Sequence, residues 1–190
     1  MRVLELFCGI GGCAAALAPG AEVAAAVDIN QVALGVYGAN FEHPQLAASI
    51  EWLPVDWFRR RRADLWWLSP PCQPYTVRGK QLDTADPRAA ALLALIERIA
   101  EVRPPFVAIE NVPGFLESES RTRLLAMLGQ TGYVVEEQIL CPTALGIPNR
   151  RRRYYLLASQ TPLAPRTSAT IPMQPLRAFL DARAEEGLEV

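Results

Sequence analysis

Short apolar runs alternate along this chain with longer segments whose apolar positions recur at helical spacing. The predicted strands are Val3–Phe7, Glu22–Asp28, Gln45–Ile50, Asp64–Leu68, Phe106–Glu110, Tyr133–Leu140 and Tyr154–Ala158. The predicted helices are Cys13–Ala18, Gln31–Asn40, Pro54–Arg61, Pro87–Val102 and Ser120–Gln130. This alternation is typical of βαβ units, whose mainly parallel sheet carries helices on both faces. The sequence therefore predicts an α/β fold.

The segment Pro87–Val102 has the clearest helical pattern. Proline suits the first turn of a helix, and Asp86 precedes it. The apolar side chains that fall on one face are those of Leu92, Leu95, Ile96 and Ile99. By contrast, no helical segment separates the last two predicted strands, so we expect the sheet to end in an antiparallel pair.

Length and composition indicate one globular domain followed by an arm. The chain has 190 residues, of which 51% are hydrophobic, enough to bury a sizeable core. After Ser159 the sequence becomes more polar and is punctuated by Pro162, Pro165, Pro172 and Pro175. We predict a globular domain over residues 1–159 and a proline-rich arm over 160–190, with a short amphipathic helix in Leu176–Leu188.

The charge of the chain is balanced overall but unevenly distributed. The formal net charge of -1 gives no global sign of a nucleic-acid-binding protein. All but one of the 19 lysine and arginine residues are arginines, and they cluster at Arg59–Arg62 and Arg150–Arg153. The first cluster fits a solvated charge run as well as it fits a phosphate contact.

The cysteine pattern does not favour a metal site. Cys8, Cys13, Cys72 and Cys141 form no CxxC pair, and His43 is the one histidine. We therefore predict no metal. For all of them except Cys72, the ordinary role is that of a small buried hydrophobic residue in a reducing compartment.

The N-terminal apolar stretch that ends near Ala18 could pass for a signal peptide. Glu5 and the glycines that follow interrupt it, which argues against that interpretation. No other segment has the roughly 18 uncharged apolar residues that a membrane span needs. We expect a cytoplasmic protein with no membrane partner.

A glycine-rich turn follows the first predicted strand. Gly9, Gly11 and Gly12 let the backbone approach a ligand closely and leave helix N–H groups facing it. The turn alone is weak support for a function, because tight turns use glycine in any case. Asp28, at the end of the second strand, adds a carboxylate that can accept hydrogen bonds from a ribose diol. Because the turn lacks the GxGxxG spacing, S-adenosylmethionine fits better than a dinucleotide.

Cys72 lies in the run SPPCQ after the fourth predicted strand, at the edge where open α/β sheets place their sites. The two prolines stiffen the approach and present the thiol. A free thiol, with a pKa of about 8.5, is only slightly ionised near neutral pH, so a nucleophile needs positive neighbours. The candidates are Arg78, Arg151 and Arg153. The alternative is an incidental loop cysteine.

Glu110 ends the fifth predicted strand, beside the fourth, so its carboxyl group can face the same pocket; otherwise it is a capping or paired surface glutamate. In the pocket, the carboxyl group can hydrogen-bond N3 and N4 of a cytosine while a thiolate adds to C6. Addition turns C5 into an enamine carbon that can attack the methyl group of S-adenosylmethionine. Nucleophile, acid and cofactor turn together predict methylation of cytosine C5.

Four segments in chain order, FCGIGG, PPCQ, ENV and NRRRR, resemble the cytosine-5 methyltransferase family over roughly residues 2–158. In longer segments the chain looks most like the branch that methylates the anticodon loop of aspartate tRNA. These segments are LELFCGIGG, SPPCQPYT, ENVPGF and LGIPNRRRRYYLLA. The resemblance implies a Rossmann-like, S-adenosylmethionine-dependent methyltransferase sheet that is mainly parallel with an antiparallel last strand.

The resemblance also implies roles for individual residues. Cys72 would be the nucleophile, Glu110 would be the partner of cytosine N3, and Arg151 and Arg153 would hold the base oxygen and the loop. The residues that would line the cofactor site are Phe7, Gly9, Ile10, Gly12, Asp28, Ile29, Ser49, Ile50 and Pro71. The further residues that would contact the substrate are Gln73, Arg78 and Asn111.

Two departures from the family pattern carry expectations of their own. Ser49 stands where the family usually has an aspartate against the adenine amino group, which is expected to weaken cofactor affinity. The chain also stops where the family's target-recognition domain and the last segments of the cofactor pocket should follow. We therefore expect a second polypeptide to supply target recognition.

Three functional hypotheses remain open at this point. DNA is the default substrate, because most of the family acts on it, and tRNA is the close alternative. The third is a non-catalytic relic that binds cofactor or nucleic acid. The residues that a decaying relic should lose first are all present: Cys72, Gln73, Glu110, Asn111, Arg151 and Arg153.

Overall fold

A seven-stranded sheet in the order β3-β2-β1-β4-β5-β7-β6 forms the centre of the molecule. The computed structural model describes residues 1–75, 83–164 and 171–180. The strands are β1 (Arg2–Leu6), β2 (Glu22–Asp28), β3 (Gln45–Ala47), β4 (Leu65–Leu68), β5 (Phe106–Asn111), β6 (Val134–Leu140) and β7 (Arg153–Ser159). The helices are α1 (Gly12–Leu17), α2 (Gln31–Asn40), α3 (Val55–Arg61), α4 (Ala90–Val102) and α5 (Glu119–Gln130). No helix within the described ranges is long and apolar enough to cross a membrane.

Strands β1 to β5 run parallel, whereas β7 is antiparallel to both of its neighbours, β5 and β6. The antiparallel end of the sheet is therefore confirmed. Because of this reversal, β7 begins where β5 ends, and Asn111 pairs with Tyr154. Arg153, the first residue of β7, thus reaches the carboxyl edge of the parallel strands.

Helices cover both faces of the sheet, as predicted. Helices α3, α4 and α5 pack on one face, where Phe58, Leu95 and Leu124 belong to the main core. The four apolar positions predicted for one face of α4 are all buried. On the other face, α1 and α2 enclose a smaller cluster around Tyr37, which is fully buried.

Two element boundaries differ from the predictions because local turns replace regular structure. Strand β3 ends at Ala47 rather than at residue 50, since the chain turns at Ser49 into a 3₁₀ turn over Ile50–Trp52. The segment Pro87–Ala89 is also a 3₁₀ turn, so the α-helix begins at Ala90. Both turns lie at the edge of the sheet where β1 and β4 end.

The proline-rich arm contacts the domain through a loop between β6 and β7. The backbone N–H of Gln174 donates to the carbonyl of Gly146 at 2.7 Å. Leu176–Phe179 form a 3₁₀ turn where a longer helix was predicted, and residues 181–190 lie outside the described residues. The division into a domain and an arm stays a prediction.

Candidate active site

The carboxyl ends of the parallel strands open into a cavity of about 740 Å³. The strand order reverses between β1 and β4, and the loops that leave these strands diverge there, which is where open α/β sheets bind ligands. The predicted site residues that line the cavity are Phe7, Gly9, Asp28, Ile29, Ser49, Ile50, Pro71, Cys72, Gln73, Glu110, Asn111, Arg151 and Arg153. Ile10 and Gly12 are not part of this lining, and Arg78 lies outside the described residues.

Asp28 organises the backbone at one end of the cavity. Its Oδ2 accepts a hydrogen bond from the N–H of Gly9 at 2.8 Å, and its Oδ1 accepts one from the N–H of Asn30 at 2.8 Å. Glycine suits position 9, because its φ of +53° is in the left-handed region that side chains rarely adopt. A carboxylate offers about four acceptor sites, so Asp28 can still accept hydrogen bonds from the hydroxyls of a ribose.

A buried polar network supports the glycine turn from the side away from the cavity. Glu5 is 1% exposed and accepts hydrogen bonds from Tyr37 Oη, at 3.1 Å, and from the backbone of Cys13 and Ala14. Tyr37 Oη also lies 2.9 Å from Nδ1 of His43. Burial raises the pKa of Glu5. The only sign of this network in the sequence is a carboxylate inside an apolar strand.

The end of the cavity around Asp28 has the chemistry of a nucleoside site. Phe7, Ile29 and Ile50 supply apolar surface to the lining that also contains Asp28 and Ser49. Apolar side chains can cover a purine while the carboxylate binds the ribose. The residues present therefore fit the adenosine part of S-adenosylmethionine.

Cys72 immediately precedes a short turn that follows β4. The carbonyl of Cys72 accepts a hydrogen bond from the N–H of Tyr75 at 2.9 Å, which closes a 3₁₀ turn. Asn111, only 2% exposed, donates from Nδ2 to the carbonyl of Pro70 at 3.2 Å. This bond ties the end of β5 to the loop that carries the cysteine. The predicted contact of Asn111 with a substrate stays a prediction.

The turn that follows β5 packs directly on the Cys72 turn. A Cβ on Gly114 would lie 2.3 Å from the carbonyl oxygen of Tyr75, so only glycine permits this approach. The fully buried ring of Phe115 meets the ring of Tyr75 edge-on, with 4.9 Å between centroids. The two turns therefore form one packed unit.

Gly114→Ala is expected to lower the free energy of unfolding by about 1–3 kcal/mol, because the added methyl group would press on backbone that cannot move freely. Gly129→Ala is the matched control: this position in α5 has open space around its Cβ, and alanine there should add about 0.5–1 kcal/mol. Urea unfolding followed by circular dichroism measures both changes. Equal stability of Gly114→Ala and the wild type would contradict the packing of the two turns.

Glu110 and Arg153 form an ion pair on the wall of the cavity. Arg153 Nε lies 3.0 Å from Glu110 Oε1, and the two side chains are only 18% and 26% exposed, respectively. The antiparallel pairing of β5 with β7 is what makes the contact. Arg151 also lines the cavity but is exposed. Each of the three charged residues predicted for the base site is thus at the cavity.

The other three cysteines, unlike Cys72, lie outside the cavity lining. Burial, helped by nearby carboxylates, raises the pKa of Cys8 to about 12 and also raises the pKa of Cys13. Cys141 is half-buried, which makes the prediction of burial wrong for this residue, and hydrogen bonds with Thr143 lower its pKa. Within the described ranges, no three His, Cys, Asp or Glu side chains are grouped to hold a metal ion.

One wall of the cavity, formed by the 3₁₀ turn before α4 and the first turn of α4, was not predicted. Pro87, Arg88 and Ala91 line it, and Asp86 is 4% exposed beside them. In the sequence, Asp-Pro-Arg at the start of a predicted helix looks like ordinary capping. The other lining residues that sequence patterns did not single out are Asn30, Ala48, Glu51, Ser69, Pro70 and Val112.

Two curated relatives illustrate what this chain is similar to. A tRNA (cytosine(38)-C(5))-methyltransferase from Homo sapiens is 42% identical over 164 residues, which are 83% of this chain and 42% of that protein. A DNA (cytosine-5)-methyltransferase from Dictyostelium discoideum is 34% identical over 168 residues, which are 84% of this chain and 44% of that protein. The chain therefore spans less than half the length of these two relatives.

Solved structures and a family model agree with these similarities. The Entamoeba histolytica methyltransferase EhMeth superposes with a TM-score of 0.86 at 30% identity, covering 95% of this chain and 60% of that chain. The S. pombe Dnmt2 methyltransferase gives 0.76 at 35% identity, covering 86% and 51%, respectively. The family model for the C-5 cytosine-specific DNA methylase matches residues 1–180. The chain belongs to the C-5 cytosine-specific DNA methylase family.

Proposed function

We propose that this chain forms the catalytic domain of a cytosine-5 methyltransferase that acts on tRNA. The observation that carries the proposal is the meeting of Asp28, Cys72 and Glu110 in one cavity, although they leave three different strands of the sheet. Cys72 and Glu110 would act on the cytosine, and Asp28 would hold the methyl donor.

The methyl donor of this family is S-adenosyl-L-methionine, and the residues around Asp28 fit it. When bound, it supplies an electrophilic methyl group. The carboxylate of Asp28 would accept hydrogen bonds from the ribose, and Ile29 and Ile50 would contact the adenine. The roles of Ile10 and Gly12 in holding the donor stay predictions.

The chemistry on the base falls to Cys72 and Glu110. The thiolate would add to C6 of the cytosine while Glu110 holds N3, so that electron density builds up at C5. Arg153, paired with Glu110, would fix the orientation of the carboxyl group. Once C5 has taken up the methyl group, a base would remove the C5 proton, and the electron pair left behind would expel the thiolate and restore the C5–C6 double bond. The target base must leave its stack to reach the cavity, at a cost of a few kcal/mol.

The choice of tRNA as substrate comes from the relatives. Six curated relatives that are 37–42% identical to this chain are tRNA (cytosine(38)-C(5))-methyltransferases. DNA, the default expected from the sequence, becomes the second candidate. It is favoured by the Dictyostelium DNA methyltransferase, at 34% identity, and by the description of the family.

Methyl transfer from labelled S-adenosylmethionine to tRNA and to duplex DNA tests the proposed function. We expect label in a tRNA that carries cytosine 38 and none in the same tRNA with uridine at that position. Label in DNA alone would make DNA the substrate. If the protein binds the methyl donor but labels neither nucleic acid, with and without added partner proteins, it is a non-catalytic binding module.

Target selection is proposed to come from a second polypeptide. Arginine contacts with phosphates position a nucleic acid but carry no sequence information. The arm exposes apolar side chains that a partner could cover, since Leu176, Phe179 and Leu180 are 50–60% exposed. Light scattering and methylation assays on the purified chain test this. A monomer that methylates one defined cytosine at an ordinary enzymatic rate would contradict the need for a partner.

Asp28→Ala is expected to weaken S-adenosylmethionine binding by about 1.5–3 kcal/mol, roughly 10- to 100-fold, as for hydrogen bonds to a charged group. The change removes the proposed ribose contact and also frees the N–H of Gly9. Isothermal titration calorimetry measures the affinity. Glu42→Ala, an exposed acid outside the cavity lining, is the control. An unchanged affinity in folded Asp28→Ala would remove Asp28 from the donor site.

A further inference from the structure

A second charged pair stands at the cavity and has no part in the chemistry described so far. We propose that Arg88, held in place by the buried carboxylate of Asp86, stabilises the thiolate form of Cys72. In this arrangement Asp86 is a positioning residue that acts through Arg88. The inference deepens the proposed function, because it rests on Cys72 being the nucleophile.

Asp86 and Arg88 form a bidentate ion pair whose two ends differ in exposure. Arg88 Nε donates to Asp86 Oδ1 at 2.8 Å, and Arg88 Nη2 donates to Asp86 Oδ2 at 2.6 Å. The side chain of Asp86 is 4% exposed, whereas that of Arg88 is 52% exposed and lines the cavity together with Cys72. The positive end of the pair therefore faces the cavity, and the negative end is buried in the protein.

The pairing keeps both groups ionised over the pH range in which a thiol titrates. Hydrogen bonds from the Arg88 side chain, and then from its backbone, lower the pKa of Asp86 to about 2. The hydrogen bonds to Asp86 in turn raise the pKa of Arg88. Arg88 is therefore a permanently charged guanidinium, and it lines the same cavity as Cys72.

The other charged residues on the cavity wall are less suited to stabilise a thiolate at Cys72. They belong to Asp28, Glu51, Glu110, Arg151 and Arg153. Glu110 and Arg153 pair with each other, so their charges largely cancel. The other two carboxylates oppose a thiolate. Among the described lining residues this leaves Arg88 and Arg151. Both are exposed, but only Arg88 is fixed in place by a bidentate pair of hydrogen bonds.

Alkylation of Cys72 by iodoacetamide as a function of pH tests the inference, because the thiolate is the reactive form. Each protein would carry Cys141→Ser, since Cys141 would compete, and peptide mass spectrometry would report the Cys72 site. In Arg88→Gln the rate at pH 7 should fall about three- to tenfold, with little change at high pH. Arg88→Lys should restore part of the rate, and Arg123→Gln, which removes a charge from α5, should match the wild type.

Asp86→Asn separates two effects of Asp86: its positioning of Arg88 and the direct effect of its own negative charge on Cys72. If Asp86 positioned nothing, removal of its negative charge would speed alkylation at pH 7; we expect the rate to fall, because the released guanidinium turns into solvent. An unchanged profile in folded Arg88→Gln, or faster alkylation in Asp86→Asn, would overturn the inference. Since alkylation needs neither methyl donor nor nucleic acid, a failure of methyl transfer would overturn the proposed function without changing this result.

Discussion

Cys72→Ala is expected to abolish covalent capture of a cytosine substrate. When a nucleic acid carries 5-fluorocytosine at the target, C5 holds fluorine in place of the proton that must leave, so the thiolate cannot be expelled from C6. The wild-type protein should then form a complex that survives denaturation on a gel in the presence of S-adenosylmethionine. Without the sulfur of Cys72 no bond forms, and methyl transfer should fall by on the order of 10⁴–10⁶.

Cys141→Ala is the most demanding control for this assignment. Cys141 is half-buried, like Cys72, and its pKa is lowered, so of the other cysteines it is the best alternative nucleophile. Cys8→Ala is a second control, because burial keeps that thiol protonated. Both variants should be captured as fully as the wild type. Capture that survives Cys72→Ala, or that disappears in Cys141→Ala, would reject Cys72 as the nucleophile.

The elements of the fold could be predicted because their signals are local. Each apolar run of strand length became a strand, and the absence of a helix before the last strand gave the antiparallel end. The errors lie where contacts distant in sequence decide the backbone. Strand β3 stops at Ala47 because the next residues turn to form the cavity wall, which no property of the segment itself requires.

The site could be predicted only in part, for a similar reason. Residues that follow parallel strands meet at one edge of the sheet, so the positions of Asp28, Cys72 and Glu110 predicted a shared cavity. Neither Arg88 nor Glu5 lies at the end of a predicted strand, so the sequence does not indicate their roles. Arg88 reaches the cavity because the turn before α4 and the Cys72 loop line the same cavity, and Glu5 acts through Tyr37, which lies 32 residues further along the chain.

Glu110→Gln is expected to lower the rate of methyl transfer by on the order of 10²–10⁴, the usual contribution of a positioned acid. Glutamine keeps the shape of the side chain but cannot share a proton with N3 of the base, and it gives up the charge that pairs with Arg153. Single-turnover measurement of labelled methyl transfer isolates this step. Affinity for S-adenosylmethionine should change little, because the donor is proposed to bind at the Asp28 end of the cavity.

The ion pair between Arg121 and Glu137 offers a matched control for Glu110→Gln. It joins Nε and Oε1 at 2.6 Å with side chains 23% and 24% exposed, much like the Glu110–Arg153 pair, but it lies outside the cavity lining. Glu137→Gln should therefore reduce stability and leave the single-turnover rate intact. If Glu137→Gln slows methyl transfer as much as Glu110→Gln does, or if Glu110→Gln stays within about threefold of the wild type, then Glu110 serves only to hold Arg153 and does not act on the base.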